Sequence, residues 1–391
     1  MTQHTGKRDL LRERDEHAHN KVSFVELFFD LVFVFAITQI SHTLLEHFTP
    51  TGLAEAALLL GAVWWVWIYT SWVTNWLDPE ATPVRLMLFA LMFLGLLLST
   101  SIPEAFGEKG LIFACAYVAI QLGRSLFAMA CLKRSPVNFR NFQRISAWLA
   151  ISGLFWIAGG LSEGGLRFAL WACALGIEYV GPAAGFSFPG LGRSKTADWD
   201  VEGGHLAERC ALFIIIALGE SVLVTGATFA KLPATPETVL AFANAFLSSV
   251  AMWWIYFHIG AERGSELIAH SKDPGRIARV AYTYIHLLLV AGIILVAVGD
   301  EFMLAHPGGH TEPKVALAVI AGPGFYLLGN LLFKRATAGW FPLSHMIGLG
   351  LLALLTPLAA MLPPLGFSFG ATLILIIVAT WEAISLRPKE A

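Results

Sequence analysis

The chain of 391 residues is 56% hydrophobic and 14% charged, with a mean hydropathy of +0.66 and a formal net charge of −2. Soluble domains carry an apolar share nearer half and a charged share near a quarter, so these values exclude an ordinary soluble enzyme or binding domain and imply an integral membrane protein. The balanced charge excludes a basic nucleic-acid-binding surface. Four cysteines, Cys115, Cys131, Cys173 and Cys210, have no CxxC spacing and indicate neither a disulfide framework nor a zinc site.

Residues 1–22 are rich in charge and contain no short apolar run with a small-residue cleavage site. This predicts a cytoplasmic N-terminal segment rather than a removable signal, with the first span acting as the insertion signal. A hydrocarbon core needs about 20 apolar residues in a helix. Twelve such stretches follow, at about 24–46, 53–77, 84–101, 111–132, 142–160, 165–186, 206–229, 238–259, 277–299, 315–333, 343–361 and 368–386. The expected fold is therefore all-α and polytopic. Of 26 Lys and Arg residues, Lys109, Arg167, Lys231 and Lys314 fall on one side and Arg124 lies inside a span, leaving 21 on the side of the N-terminus. Positive charge is retained in the cytoplasm, so both termini are expected there.

The two halves of the chain resemble one another. "FVFAITQIS" at 33 pairs with "FIIIALGES" at 213, "WIYTSW" at 67 with "WIYFHI" at 254, "LFAMACLKRS" at 126 with "LLGNLLFKRA" at 327, and "GIEYV" at 176 with "TWEAI" at 380. The order is preserved and the offsets grow slowly, as a tandem duplication with small insertions would produce. The expected domains are a first six-helix repeat over 23–196 and a second over 197–391. An even number of spans gives both the same orientation, an arrangement that in transporters puts the site at the repeat interface.

Charges inside spans are costly, about 2.5–3.5 kcal/mol each on insertion scales, and point to partners, water or function. Glu26 and Asp30 are one turn apart on one face of the first span. Asp30, Arg124 and Glu178 fall at similar depths in the inner half of the membrane. These four groups are expected to form one network with Arg124 as its hub, because a guanidinium can hold two carboxylates and stays charged. The alternative is a staple fixing three helices. Down the first span Glu26, Asp30, Phe33 and Ile37 lie within about 60°, which predicts a charged mouth leading to an apolar constriction. In "GGHLAERCALFIIIALGESVL", His205, Glu208 and Arg209 open the seventh span, where interfacial polar residues are ordinary. Glu220 lies far deeper and is a candidate proton or cation carrier, with a simple interhelical hydrogen bond as the alternative. His286 and His258 could relay protons, although a lone intramembrane histidine more often bonds one neighbour. The tryptophans of "VWWVWIYTSWVTNW" are expected at the membrane interface. No nucleophile elbow, P-loop, dinucleotide-binding glycine pattern or HExxH is present, so no enzyme activity, catalytic residue, cofactor or metal is expected.

"VELFFDLVFVFAITQISHTL" and "HLAERCALFIIIALGESVL" together resemble the bacterial low temperature requirement A family of multi-pass membrane proteins, and the resemblance spans nearly the whole chain. By position it carries over Glu26, Asp30, Gln39 and His42 in the first signature and His205, Glu208, Arg209, Glu220 and Ser221 in the second. Cys210 stands where the family often has phenylalanine. The family name records growth in the cold and leaves the biochemistry open. The resulting expectation is passage of an ion or small solute across a bacterial plasma membrane, using Glu26, Asp30, Arg124, Glu178 and Glu220. The alternative is a non-transporting envelope or lipid-associated protein that supports growth in the cold. Membrane lipids and the solute are the expected partners, and a homo-oligomer is compatible with this reading.

Overall fold

Lipid offers no partners to backbone N–H and C=O groups, so a chain this apolar must satisfy them within helices. The computed structural model describes residues 10–12, 22–195, 198–199, 201–258, 267–268 and 273–385. Among these, β pairing is limited to two isolated bridges, Leu11 with Leu77 and Phe188 with Gly192. Twelve long helices account for the rest of the architecture. The first six are α1 (Phe24–Glu46), α2 (Pro50–Trp76), α3 (Thr82–Ser101), α4 (Gly110–Cys131), α5 (Pro136–Gly160) and α6 (Gly164–Ala183). Then come α7 (Gly203–Phe229), α8 (Pro236–Phe257), α9 (Pro274–Ala305), α10 (Pro313–Ala338), α11 (Leu343–Leu355) and α12 (Pro364–Ser385). Ten are long and apolar enough to cross a membrane, α11 only together with the 3-10 segment that extends it to Ala360, and α5 and α6 stand outside that set. The protein is an all-α polytopic membrane protein.

Two boundaries run past the expected ones for one reason. Helix α5 starts at Pro136 rather than near 142, and α10 continues to Ala338 rather than 333. Hydropathy stops at the first charge, whereas the backbone keeps its i→i−4 bonds as long as a charged side chain finds a partner. Arg144, Arg167, Arg209 and Lys334 are indeed buried in helices, so these cations are not the loop anchors that charge counting made of them. The tryptophans also depart from expectation. Trp64, Trp65, Trp67, Trp156 and Trp171 are fully buried, with the indole N–H groups of Trp67, Trp156 and Trp171 donating inside the protein rather than at an interface.

The chain divides into two compact units, one of residues up to Ala36 with Gly61–Leu206, the other of Ile37–Leu60 with Ala207 onward. In the first unit α3, α4, α5 and α6 pack as successive neighbours. Arg167 ties their ends. Its Nε donates to the carbonyls of Gly159 (3.2 Å) and Ser162 (2.9 Å), and Nη1 to those of Ala105 (2.9 Å) and Gly107 (2.6 Å). One buried cation thus satisfies carbonyls at the ends of two helices, which otherwise lack intrahelical donors. Arg167→Ala is expected to destabilise the folded protein by about 3 kcal/mol or more, because several buried acceptors lose a charged donor at once. Unfolding in detergent micelles would measure this, and Arg167→Lys, with a single donor head, should recover only part.

In the second unit the closest approach is between α9 and α10. A Cβ on Gly292 would stand 2.7 Å from the Tyr326 nitrogen, and one on Gly322 would stand 2.7 Å from the Val296 nitrogen. Small residues let the two backbones touch, the usual device of helix association in lipid, where apolar side chains gain nothing by leaving the bilayer. Helix α9 also contains a π-helical stretch, Ala278–Ile285. It ends at His286, whose Nδ1 lies 2.8 Å from the Ala281 carbonyl and whose Nε2 lies 2.8 Å from the Tyr256 hydroxyl. Both ring nitrogens of this histidine are engaged within the core.

Candidate functional site

Three clusters hold the intramembrane charges expected from the sequence, two in the first unit and one in the second. At the start of α1, Glu26 is fully buried among hydrogen-bond donors. Its Oε2 accepts from Arg12 Nη2 (3.2 Å) and from the Ser23 backbone and hydroxyl (2.9 Å each), and its Oε1 lies 3.0 Å from His205 Nε2. On the far side of the imidazole, Asn75 Nδ2 lies 3.3 Å from Nδ1 and also donates to the Glu202 carbonyl at 2.8 Å. An amide donor at Nδ1 assigns the proton to Nε2, which then donates to Glu26. His205 therefore joins the start of α7 to the start of α1, a role that its interfacial position did not suggest. One turn further along α1, Asp30 is also fully buried, and Trp67 Nε1 donates to its Oδ1 at 2.7 Å.

The second cluster surrounds Glu178 on α6. Its Oε2 accepts from the Tyr117 hydroxyl (2.7 Å) and Gln121 Nε2 (2.8 Å), and its Oε1 from the Ser152 hydroxyl (2.7 Å) and Trp156 Nε1 (2.9 Å). Four neutral donors from α4 and α5 saturate this carboxylate, so no lone pair is left to hold a passing solute. Arg124 sits beside it without touching it. Its Nη2 donates to Gln121 Oε1, and its Nη1 donates to the Val66 carbonyl and the Thr70 hydroxyl at 3.0 Å each. The expected hub therefore reaches Glu178 through Gln121. It reaches the Asp30 region only through α2, where Val66 and Trp67 are adjacent. The geometry is that of a fixed polar staple across α2, α4, α5 and α6.

The third cluster is open where the others are closed. Glu220 on α7 accepts a hydrogen bond from the Thr38 hydroxyl at 3.0 Å. Beside it lies a cavity with about 20 Å³ of space open to water centres, lined on its polar side by Thr38, Ser41, Glu220 and Ser221. Ile293, Ile294 and Ala297 of α9 close the apolar side. Ser221 is only 4% exposed, and its hydroxyl has no partner. A buried hydroxyl without a partner is uncommon and implies a water or ion that supplies one. The volume suffices for one water-sized occupant. Of the remaining expected residues, Arg209 is fully buried on α7 and Glu208 is exposed.

Sequence reasoning overlooked several polar groups. Trp67, Tyr117, Gln121, Ser152 and Trp156 carry no charge and so raised no cost to explain. Lys334 on α10 donates to both oxygens of Glu382 at 2.6 Å, and His345 Nδ1 lies 3.4 Å from Glu382 Oε1. Asp300 and Glu301 on α9 were lost because the ninth stretch was ended at 299. Two adjacent acids following "GIILVAVG" were the available signal.

Residues 21–380 match the family described as bacterial low temperature requirement A protein. The chain is 46% identical over 369 residues to an uncharacterized protein, RA0937, of Rhizobium meliloti (strain 1021), the match covering 94% of this chain and 90% of that one. No solved structure matches it.

Proposed function

Because the chain belongs to the bacterial low temperature requirement A family, a family of multi-pass membrane proteins, we propose that it carries a small monovalent cation, protons included, across the bacterial plasma membrane. The observation that carries this reading is the Glu220 cavity, in which a carboxylate and hydroxyls, one of them without a partner, line a half-open space with room for one water among α1, α7 and α9. An intramembrane carboxylate with room beside it can bind and release a cation, and the oxygens around it replace hydration. The four-donor site of Glu178 cannot do this.

The other groups take supporting roles in the same proposal. Glu26 and Asp30 on α1 form the charged inner mouth, with Arg12 and His205 holding Glu26 in place. Arg124 and Glu178 fix α2, α4, α5 and α6 around it. Both termini are cytoplasmic, and the two six-helix halves are parallel repeats. Placing Glu178 against Glu382 is compatible with the geometry, since each carboxylate from the last helix of its half meets groups from the two helices before it.

Flux from liposomes containing the purified protein tests the proposal, with potassium, sodium and proton gradients applied separately. Asp30→Asn keeps an acceptor for Trp67 Nε1–H but removes the charge. It is expected to lower flux about tenfold or more while folded yield stays near wild type; equal losses in both would leave Asp30 a structural group. Silence of the folded wild-type protein under all three gradients would overturn cation passage and favour the lipid-associated role.

A further inference from the structure

The three helices that line the Glu220 cavity each continue with a polar group toward the end where α1, α7 and α9 finish. On α9, Asp300 and Glu301 follow Ile293 and Ile294 by seven residues, which is about 10 Å along the axis and within about 20° of the same face. On α7, Thr228 follows Ser221 by the same interval. On α1, His42 lies one turn beyond Thr38. Two of these groups meet, the Thr228 hydroxyl donating to Glu301 Oε2 at 2.8 Å, and the charges of His42 and Lys231 lie within electrostatic reach of Glu301. The Phe48 ring sets its edge on Phe302 at 5.4 Å, holding the end of α1 against α9.

The carboxylates here are bound unlike the structural ones. Glu178 has four donors and Glu382 has a lysine at 2.6 Å. Asp300 is only 4% exposed, yet its Oδ2 has no donor, and Glu301 Oε1 has none either. Glu301 is the charge that acts on Asp300, so the two orphaned oxygens belong to neighbouring acids. Glu301 itself is half-buried, and His42 and Lys231 are exposed, so the pair lies at the protein surface. Two acids left short of donors in apolar surroundings call for an exchangeable positive partner. Between this pair and the cavity stand Val224 and Ala297, both of which also line the cavity.

We propose that Asp300 and Glu301 form a second acidic station that collects a small monovalent cation, or hydronium, from water and passes it along the shared face of α7 and α9 to Glu220. This rests on the proposed cation passage and adds its entry or exit point. Lys231 opposes the cation there and sets the potential that the two acids must outweigh.

The test is flux in liposomes at rising potassium, sodium or proton concentration, using Glu301→Gln, Asp300→Asn and the double variant beside Glu220→Gln. A collecting station makes Glu301→Gln raise the half-saturating cation concentration roughly tenfold, at the low end of what charge-focusing clefts supply, with maximal flux near wild type. Recovery at saturating cation distinguishes this from a folding defect. Whether the shift appears with metal cations or with protons alone identifies what the station binds. Conduction by wild type, loss in Glu220→Gln and wild-type concentration dependence in both Glu301→Gln and the double variant would overturn the second station and leave the cavity reading standing. A folded wild type that is silent under every gradient would overturn both.

Discussion

Glu220→Gln is expected to cut cation flux by at least about tenfold, equivalent to about 1.4 kcal/mol in the barrier, while stability changes by less than about 1 kcal/mol. The substitution is nearly isosteric and keeps Oε1 as an acceptor for the Thr38 hydroxyl. What it removes is the negative charge beside a cavity with about 20 Å³ of space for one water-sized occupant. A dehydrated cation among these three helices depends on that charge, because the surrounding hydroxyls supply dipoles but no countercharge. Thr38→Val is the matched control, since it loses the hydrogen bond and keeps the carboxylate, so its flux should stay much closer to wild type. Should both variants conduct like wild type, Glu220 would be an interhelical hydrogen-bonding group and the cavity an ordinary water site. Should Glu220→Gln unfold the protein, the carboxylate would carry structure, a result the open geometry argues against.

Much of this arrangement was legible because charge in a membrane is expensive. Glu26, Asp30, Arg124, Glu178 and Glu220 stand out against apolar neighbours, and each is a point where the helices exchange hydrogen bonds. What hydropathy could not give was who meets whom. Arg124 and Glu178 were expected to pair directly, but the uncharged Gln121 stands between them, accepting from Arg124 and donating to Glu178. Neutral donors satisfy a carboxylate as fully as a cation does, and nothing in a single sequence marks a glutamine, serine or tryptophan for that task. The helix ends were obscured for a related reason. A window that stops at the first charge discards Asp300 and Lys334, although a buried partner or cavity lets the helix carry them. The tryptophans were misplaced because an indole N–H needs a partner wherever it sits, and here Asp30, Glu178 and the Trp156 carbonyl supply it in the core.

The Lys334–Glu382 pair carries the largest expected stability effect in the second unit. Lys334 Nζ lies 2.6 Å from both carboxylate oxygens, with both side chains about nine-tenths buried. Taking either charge away alone leaves the other desolvated without a counterion, which costs about 3–5 kcal/mol. Lys334→Met strands Glu382 with His345 at 3.4 Å, and His345 Nε2 is itself a buried nitrogen without a partner. Relief from that quarter is therefore small. Glu382→Leu strands the lysine in the same way. The double variant removes both charges and their desolvation together, so its stability should return to within about 1–2 kcal/mol of wild type, giving a coupling of at least about 4 kcal/mol in a double-mutant cycle. Unfolding in detergent micelles measures the cycle, and flux measured on the same four proteins assigns the role. A staple predicts that the double variant conducts normally once refolded to wild-type stability. Loss of conduction in a stable double variant would instead make this pair, at the end of α10 and α12, part of the cation path.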